Sequence, residues 1–174
     1  MGESAAVADA TVLIFLGKLR RLQWLRLRYD SILIPQQVYA EVVEAGREIG
    51  AADAAVVADA IDDGWIVPRQ VHPSANLETF DLEAGETAVL SLAVDEGHED
   101  VLVDEESVRE VARLLGLNPR GTLSFLFTTL REGEITFGEF LESLERLLES
   151  GMYLHESIYV EAVRKAREIA DADG

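Results

Sequence analysis

The chain has 174 residues, enough for one domain with a real core, and apolar residues make up 48% of it, which excludes a disordered or low-complexity protein. Its 33 Asp and Glu against 15 Lys and Arg leave a net charge of −18, which repels nucleic acid and anionic membranes at long range. With no cysteine, disulfides, thiol nucleophiles and thiolate metal sites are excluded.

Only two of the basic residues are lysines, Lys18 and Lys165. Abundant carboxylates with so little lysine lead us to expect a salty cytoplasm, where ionic strength screens self-repulsion; near-normal stability in dilute buffer would contradict this. The first residues carry no basic stretch followed by an apolar core, and no uncharged apolar run approaches the ~18 residues of a membrane span. A soluble, cytoplasmic protein is expected.

In chain order, short apolar runs alternate with amphipathic stretches, the pattern of a parallel sheet flanked by helices. Residues Ala5 to Ala8 predict a strand ending at Asp9, followed by helix from Ala10 to Tyr29, broken near Gly17. Ser31 to Ile34 predicts a buried strand, with Pro35 in the first turn of a helix reaching Gly46. A further helix covers residues 51–63. Trp65-Ile66-Val67 predicts a strand stopped by Pro68, and a polar loop then leads to a helix from Leu82 to Glu96 with Asp81 as N-cap. Val101 to Val103 is the clearest buried strand, and it too ends in an aspartate, Asp104. A helix to Leu115, an extended piece over 117–120 and a helix from Gly121-Thr122 to Gly133 complete this part. Two tail helices follow, one with a stripe of Phe137, Leu141, Leu144 and Leu148, the other with Tyr159, Ala162, Val163, Ala166 and Ala170. Both stripes suit packing on the core or a dimer surface.

The three histidines (His72, His98, His155) have no metal-ligand spacing, and neither a Gly-x-Ser-x-Gly elbow nor a Gly-rich phosphate loop occurs. Any site is therefore built of carboxylates. Asp9 and Asp104 stand at strand ends, where parallel sheets bind ligands, although each also suits a helix cap. Thr11 can support a metal or its water. Glu86 shares a helical stripe with Val89, Leu90, Ala93 and Val94, so its carboxylate needs a metal, a proton or an ion pair, for which Arg109 is a candidate. Glu41 alone reads as a solvated helix residue. Glu105 and Glu106 suit a helix N-terminus, and Thr122 can cap a helix or offer its N-terminus to a phosphate.

As an ordered set these segments resemble the PIN domain. The resemblance rests on Asp9-Ala-Thr-Val-Leu-Ile, Tyr39-Ala-Glu41-Val42, Gly85-Glu86 and Val103-Asp104-Glu105. It continues through Arg109-Glu-Val-Ala, Leu115-Gly-Leu and Gly121-Thr122-Leu123. Leu16-Gly-Lys-Leu19 and the stretch from Gly151 to Val163 look like a subgroup found among toxins of toxin–antitoxin pairs. The likeness runs from Val7 to Val163. It implies a three-layer α/β/α sandwich with a central, mostly parallel sheet, its core over residues 5–133, plus C-terminal helices over 134–171 packed on the core or at a dimer interface. It also implies a metal-dependent endoribonuclease whose acidic cluster is Asp9, Glu41, Glu86 and Asp104, with Glu105 as a fifth candidate. Two departures stand out: Ala10-Thr11 replaces a common Thr-Ser pair, and Glu105 replaces an aspartate.

The physical chemistry agrees with that transfer. Four converging carboxylates repel one another unless divalent cations neutralise them, and all-oxygen ligands suit Mg²⁺ or Mn²⁺ rather than zinc. Asp9 and Asp104 are expected as direct ligands, Glu41 and Glu86 as ligands directly or through water, and any of the four as the group orienting the nucleophilic water. Expected substrate contacts are Thr11, Arg109, Arg120 and Thr122. The stretch from Leu16 to Asp30 is a further candidate: Lys18, Arg20, Arg21, Arg26 and Arg28 give it a net charge of +4, leaving −22 for the remainder. Trp24 and Tyr29 in that stretch suit base stacking, while the plainer role for these arginines is to lay their stems over the core edge. RNA, a small antitoxin and a second copy of the chain are the expected partners. The alternative is a catalytically silent PIN-like module that binds nucleic acid or protein. A phosphotransfer receiver or phosphatase is disfavoured, since no Asp-x-Asp begins at Asp9 and no lysine follows a late strand.

Overall fold

The computed structural model describes residues 4–174. The chain divides into two compact units, one ending at Thr122 and the other spanning Leu123–Gly174. The first is built on five strands, β1 (Ala5–Ala8), β2 (Ser31–Pro35), β3 (Ile66–Arg69), β4 (Asp100–Leu102) and β5 (Asn118–Arg120). All are parallel, in the order β3-β2-β1-β4-β5. The central strands are apolar on both sides: Ala6, Val7, Ala8, Ile32, Leu33, Ile34, Val101 and Leu102 are all buried. Such continuous runs are what a sheet covered on both faces requires.

The helices of this unit are α1 (Ala10–Lys18), α2 (Gln36–Tyr39), α3 (Ala45–Glu48), α4 (Ala52–Asp62), α5 (Ala84–Glu96) and α6 (Glu106–Leu114). Right-handed crossovers that run one way from β1 to β3 and the other way from β3 to β5 place helices on opposite faces, giving a three-layer α/β/α arrangement. α5 packs across β1, β2 and β4, and α1 packs on α4. Gly17 permits that second contact, because a Cβ there would sit 2.8 Å from the Cβ of Asp53.

Several local expectations are corrected. Helix α1 passes through Gly17 and ends at Lys18; the chain then turns at Arg20, in a left-handed conformation, into a 3₁₀ segment over Leu22–Leu27. Pro35 is both the last residue of β2 and the N-cap of α2, so the helix starts one residue after it. Pro68 does not stop β3 but pairs with Ile34 within it, which an edge strand tolerates. Asp81 does not cap α5: it is left-handed (φ 52°), and Glu83 is the N-cap, in a capping box with Glu86. Val103 lies just beyond β4, although its N–H still bonds the Arg120 carbonyl. Val94 is 51% exposed, because α5 buries a continuous block from Ala88 to Ala93.

The second unit contains α8 (Phe137–Glu149) and α9 (Glu156–Ala172), preceded by α7 (Thr122–Arg131). Thr136 and Glu139 form a capping box at the start of α8. The buried stripe of α8 is Phe140, Leu144 and Leu147, with Phe137, Leu141 and Leu148 half-buried beside it. The Phe140 ring lies 5.1 Å from that of Phe127. Helix α9 buries Ala162 and Ala166, whereas Tyr159 is exposed.

Candidate metal centre

Strand order reverses at β1, and the crevice where ligands bind such sheets lies at the carboxyl ends of β1 and β4. Asp9 leaves β1 there, its N–H bonded to the Leu102 carbonyl of β4 at 2.9 Å. Its Oδ1 accepts the Ala10 N–H at 2.9 Å, so it also caps α1. Only 7% of Asp9 is exposed. Burial pushes its carboxyl up to about 7; the Ala10 N–H opposes this, and Glu86, Glu41 and Asp104 add repulsion.

Asp104 follows β4 and does not cap the next helix, whose N-cap is Glu105. Both of its oxygens instead receive Thr122: the backbone N–H donates to Oδ1 at 2.6 Å and the hydroxyl to Oδ2 at 2.7 Å. Burial raises its carboxyl above the ordinary value against these two donors and the Arg109 guanidinium, and Glu105 raises it further. A Cβ on Gly121 would stand 2.9 Å from Asp104 Oδ1 and 3.6 Å from Arg109 Nη1, so any side chain there would force the Asp104 carboxylate to shift.

Glu41 lies in a π-helical turn, Ala40–Glu44, that joins α2 to α3 into one helix after β2. Such widened turns re-aim a side chain. Although its residue surface is largely exposed, desolvation raises its carboxyl, followed by repulsion from Glu83 and Glu86. Glu86, half-buried at the third position of α5, bonds the Glu83 N–H at 2.9 Å. Its carboxyl too is raised by burial, against that N–H, with repulsion from Glu83 and Glu105. A Cβ on Gly85 would lie 3.7 Å from Glu41 Oε2 and 3.9 Å from Asp9 Oδ1, so those two carboxylates face one point. Glu105 is exposed at the rim.

The structure thus gathers Asp9, Glu41, Glu86 and Asp104 around one crevice. Among the described residues, no three acidic or histidine side chains are already close enough to form a closed metal cage. The expected Glu86–Arg109 ion pair is not among the ion pairs of the described residues; Arg109 reaches Glu106 at 3.9 Å instead, and its Nε is buried without a hydrogen-bond partner.

Other expected contacts are redistributed. Thr11 is half-buried in the first turn of α1. Thr122 is fully buried, with its donors on Asp104, so it holds a carboxylate rather than offering itself to a phosphate. Arg120 turns away from the crevice: its Nε sits 3.3 Å from Asp100 at the start of β4, where Tyr29 donates at 2.5 Å and Asn118 at 3.3 Å. Trp24 and Tyr29 are buried and present no stacking face. Lys18, Arg20, Arg21, Arg26 and Arg28 are exposed, but on the segment that leads back to the amino-terminal ends of the strands. Glu83 escaped the sequence reading; its spacing to Glu86, the capping-box signature in Glu rather than Ser or Thr, was the available signal.

Among the described residues no helix is long and apolar enough to cross a membrane. No curated protein matches the chain. A family model described as a PIN domain matches residues 5–168, a span that takes in every residue of the acidic crevice. The five-stranded parallel sheet agrees with that match, and the chain belongs to the PIN domain family.

Proposed function

We propose that the chain is a divalent-metal-dependent endoribonuclease that hydrolyses RNA phosphodiester bonds in the crevice at β1 and β4. The observation that carries this reading is the convergence of four carboxylates from four separate elements, with burial and mutual repulsion holding Asp9 near 7. An all-oxygen donor set of this kind fits Mg²⁺ or Mn²⁺, and its open spacing suits an ion that keeps several waters.

Asp9 and Asp104 are the direct ligands in this reading, each fixed by a backbone N–H. Glu41 and Glu86 hold the ion directly or through water, and whichever oxygen stays free accepts a proton from the attacking water. Glu105 adds negative potential at the rim. Arg109, whose Nη1 shares the Gly121 wall with Asp104 Oδ1, meets the non-bridging oxygens of the phosphate. When bound, a divalent ion polarises the phosphoryl group and lowers the pKa of a coordinated water.

A toxin role goes with this reading through the likeness of Leu16 to Leu19 and of the Gly151–Val163 stretch to toxin-type members. A small antitoxin, a second copy of the chain and a cytoplasmic location belong to the same proposal. The test is cleavage of a labelled RNA with Mn²⁺, Mg²⁺ or EDTA. Cleavage with either metal that EDTA abolishes is expected. RNA binding without cleavage under any of these conditions would replace the enzyme by a catalytically silent PIN-like binding module.

A further inference from the structure

The crevice holds four carboxylates and one arginine, so a polyanionic substrate gains little affinity there. A third of the chain's fifteen basic residues lie between Lys18 and Arg28, and no acid stands between Asp9 and Asp30. Helix α1 leaves the crevice at Asp9 and its nine residues carry the chain about 13 Å toward the amino-terminal ends of the strands. Strand β2 starts at that end with Ser31, so residues 19–30 lead to it. Two contacts pin the segment there: the Asp30 N–H bonds the Ser4 carbonyl at 2.8 Å, and the Tyr29 hydroxyl bonds Asp100 at the start of β4.

Arg20, Arg21, Arg26 and Arg28 are all exposed at this end. Among the described residues, arginine ion pairs engage Arg69, Arg109, Arg113, Arg120 and Arg164, and none of these four, although acids outnumber bases more than two to one. The platform beneath them is packed against aromatic rings. Trp24 is buried, the Arg21 guanidinium lies 5.9 Å from its ring, and that of Arg26 lies 5.4 Å from the ring of Trp65. Arg20 is held in a left-handed conformation uncommon for a residue with a side chain.

We propose that these four arginines form a second RNA-backbone site, at the amino-terminal ends of the strands and so opposite the crevice, which retains substrate that the crevice cleaves. This rests on the nuclease reading. Planar guanidinium forks match phosphate oxygens, and four of them within nine residues suit successive phosphates of one strand. The consequence is a length requirement: RNA long enough to reach from the crevice to the opposite strand ends is favoured over a fragment that fills the crevice alone.

The test measures binding of a labelled 20-nucleotide RNA in EDTA across a salt series, together with the relative kcat/KM for that RNA and for a trinucleotide in Mn²⁺. The variants are the quadruple Arg20→Gln/Arg21→Gln/Arg26→Gln/Arg28→Gln and the double Arg20→Gln/Arg28→Gln, which spares both ring contacts should the quadruple fail to fold. Each lost phosphate contact flattens the log–log salt slope by about 0.7. The expected flattening is therefore about 1.4 for the double and about 2.8 for the quadruple, with the preference for long RNA falling at least tenfold. Unchanged slopes and preference with wild-type cleavage intact would overturn the second site and leave the nuclease reading standing. Arginine-dependent binding by a wild-type protein that cuts neither RNA would support the site and sink the nuclease reading. A quadruple variant that alters oligomeric state but not RNA binding would overturn the proposal in favour of an acidic protein surface.

Discussion

Asp9→Asn is expected to cut metal-dependent RNA cleavage about 10³-fold and, at the same time, to stabilise the metal-free protein at alkaline pH. The two effects share one cause. Asp9 is 7% exposed and its carboxyl is pushed up to about 7, so ionising it in the folded crevice is unfavourable. Because the folded value exceeds the unfolded one, the folded state holds the extra proton between about pH 4 and pH 7. The associated stability is complete below pH 4 and is lost as pH rises through 7, a change of at most about 4 kcal/mol. Asparagine carries no charge and keeps an oxygen for the Ala10 N–H, so urea denaturation of the variant should show a flatter pH dependence from 5 to 8. With Mn²⁺ at 100 times its dissociation constant, the wild type should gain about 2.7 kcal/mol at pH 8 and the variant much less. The loss in cleavage rate should be on the order of 10³-fold, the factor that about 4 kcal/mol removes. Retained cleavage, or an unchanged pH dependence of stability, would take Asp9 out of the site.

Thr122 and Gly121 carry the second large effect, because together they fix the other strand-end aspartate. Thr122→Val preserves shape and deletes the hydroxyl that bonds Asp104 Oδ2, in a position with no exposed surface. A 10- to 100-fold loss in kcat is expected, roughly the cost of removing a group that orients a metal ligand. Stability should fall by about 1.5–3 kcal/mol, as for a hydrogen bond to a charged group. The lost donor also favoured the ionised carboxyl, so the acidic limb of the pH–rate profile should move to higher pH. Thr122→Ser restores the hydroxyl and should recover most of the rate, which a purely packing role would not predict. Gly121→Val is harsher, because any Cβ there meets Asp104 Oδ1 at 2.9 Å and displaces the carboxylate. Full activity in both Thr122→Val and Gly121→Val would show that Asp104 needs no such support.

The sheet and its two strand-end aspartates were legible because buried parallel strands are short apolar runs, and an acid ending such a run is conspicuous. Pro68 was misjudged because its effect depends on which strand is at the edge, a property of strand order rather than of local sequence. The start of α5 was misplaced because Glu83 and Glu86 cap each other in place of Asp81. That contact also explains Glu86: its stripe position suggested burial, whereas the helix end leaves it half-exposed with a backbone partner. Thr122 and Arg120 were both placed near the crevice by sequence distance. The fold sends the Thr122 hydroxyl into Asp104 and the Arg120 guanidinium back to Asp100, a choice set by side-chain direction. Trp24 and Tyr29 looked available for stacking, yet the 3₁₀ segment turns both inward.

The surplus of acid, which by itself argues against a nucleic-acid substrate, divides into two populations. One is the crevice, where carboxylates are held above their ordinary range and where, in the proposed reading, a divalent ion would relieve the repulsion. The other is the surface, where exposed Asp and Glu screen one another poorly except in salt. In the proposed reading, cleavage and retention of RNA fall to opposite ends of the strands of one sheet.

The most direct test of the metal centre is anomalous difference density from a crystal grown with Mn²⁺. The account predicts a peak within about 2.5 Å of carboxylate oxygens of both Asp9 and Asp104, with Glu41 and Glu86 turned toward it. A crevice without a peak at saturating Mn²⁺, or a peak bound without either aspartate, would contradict it.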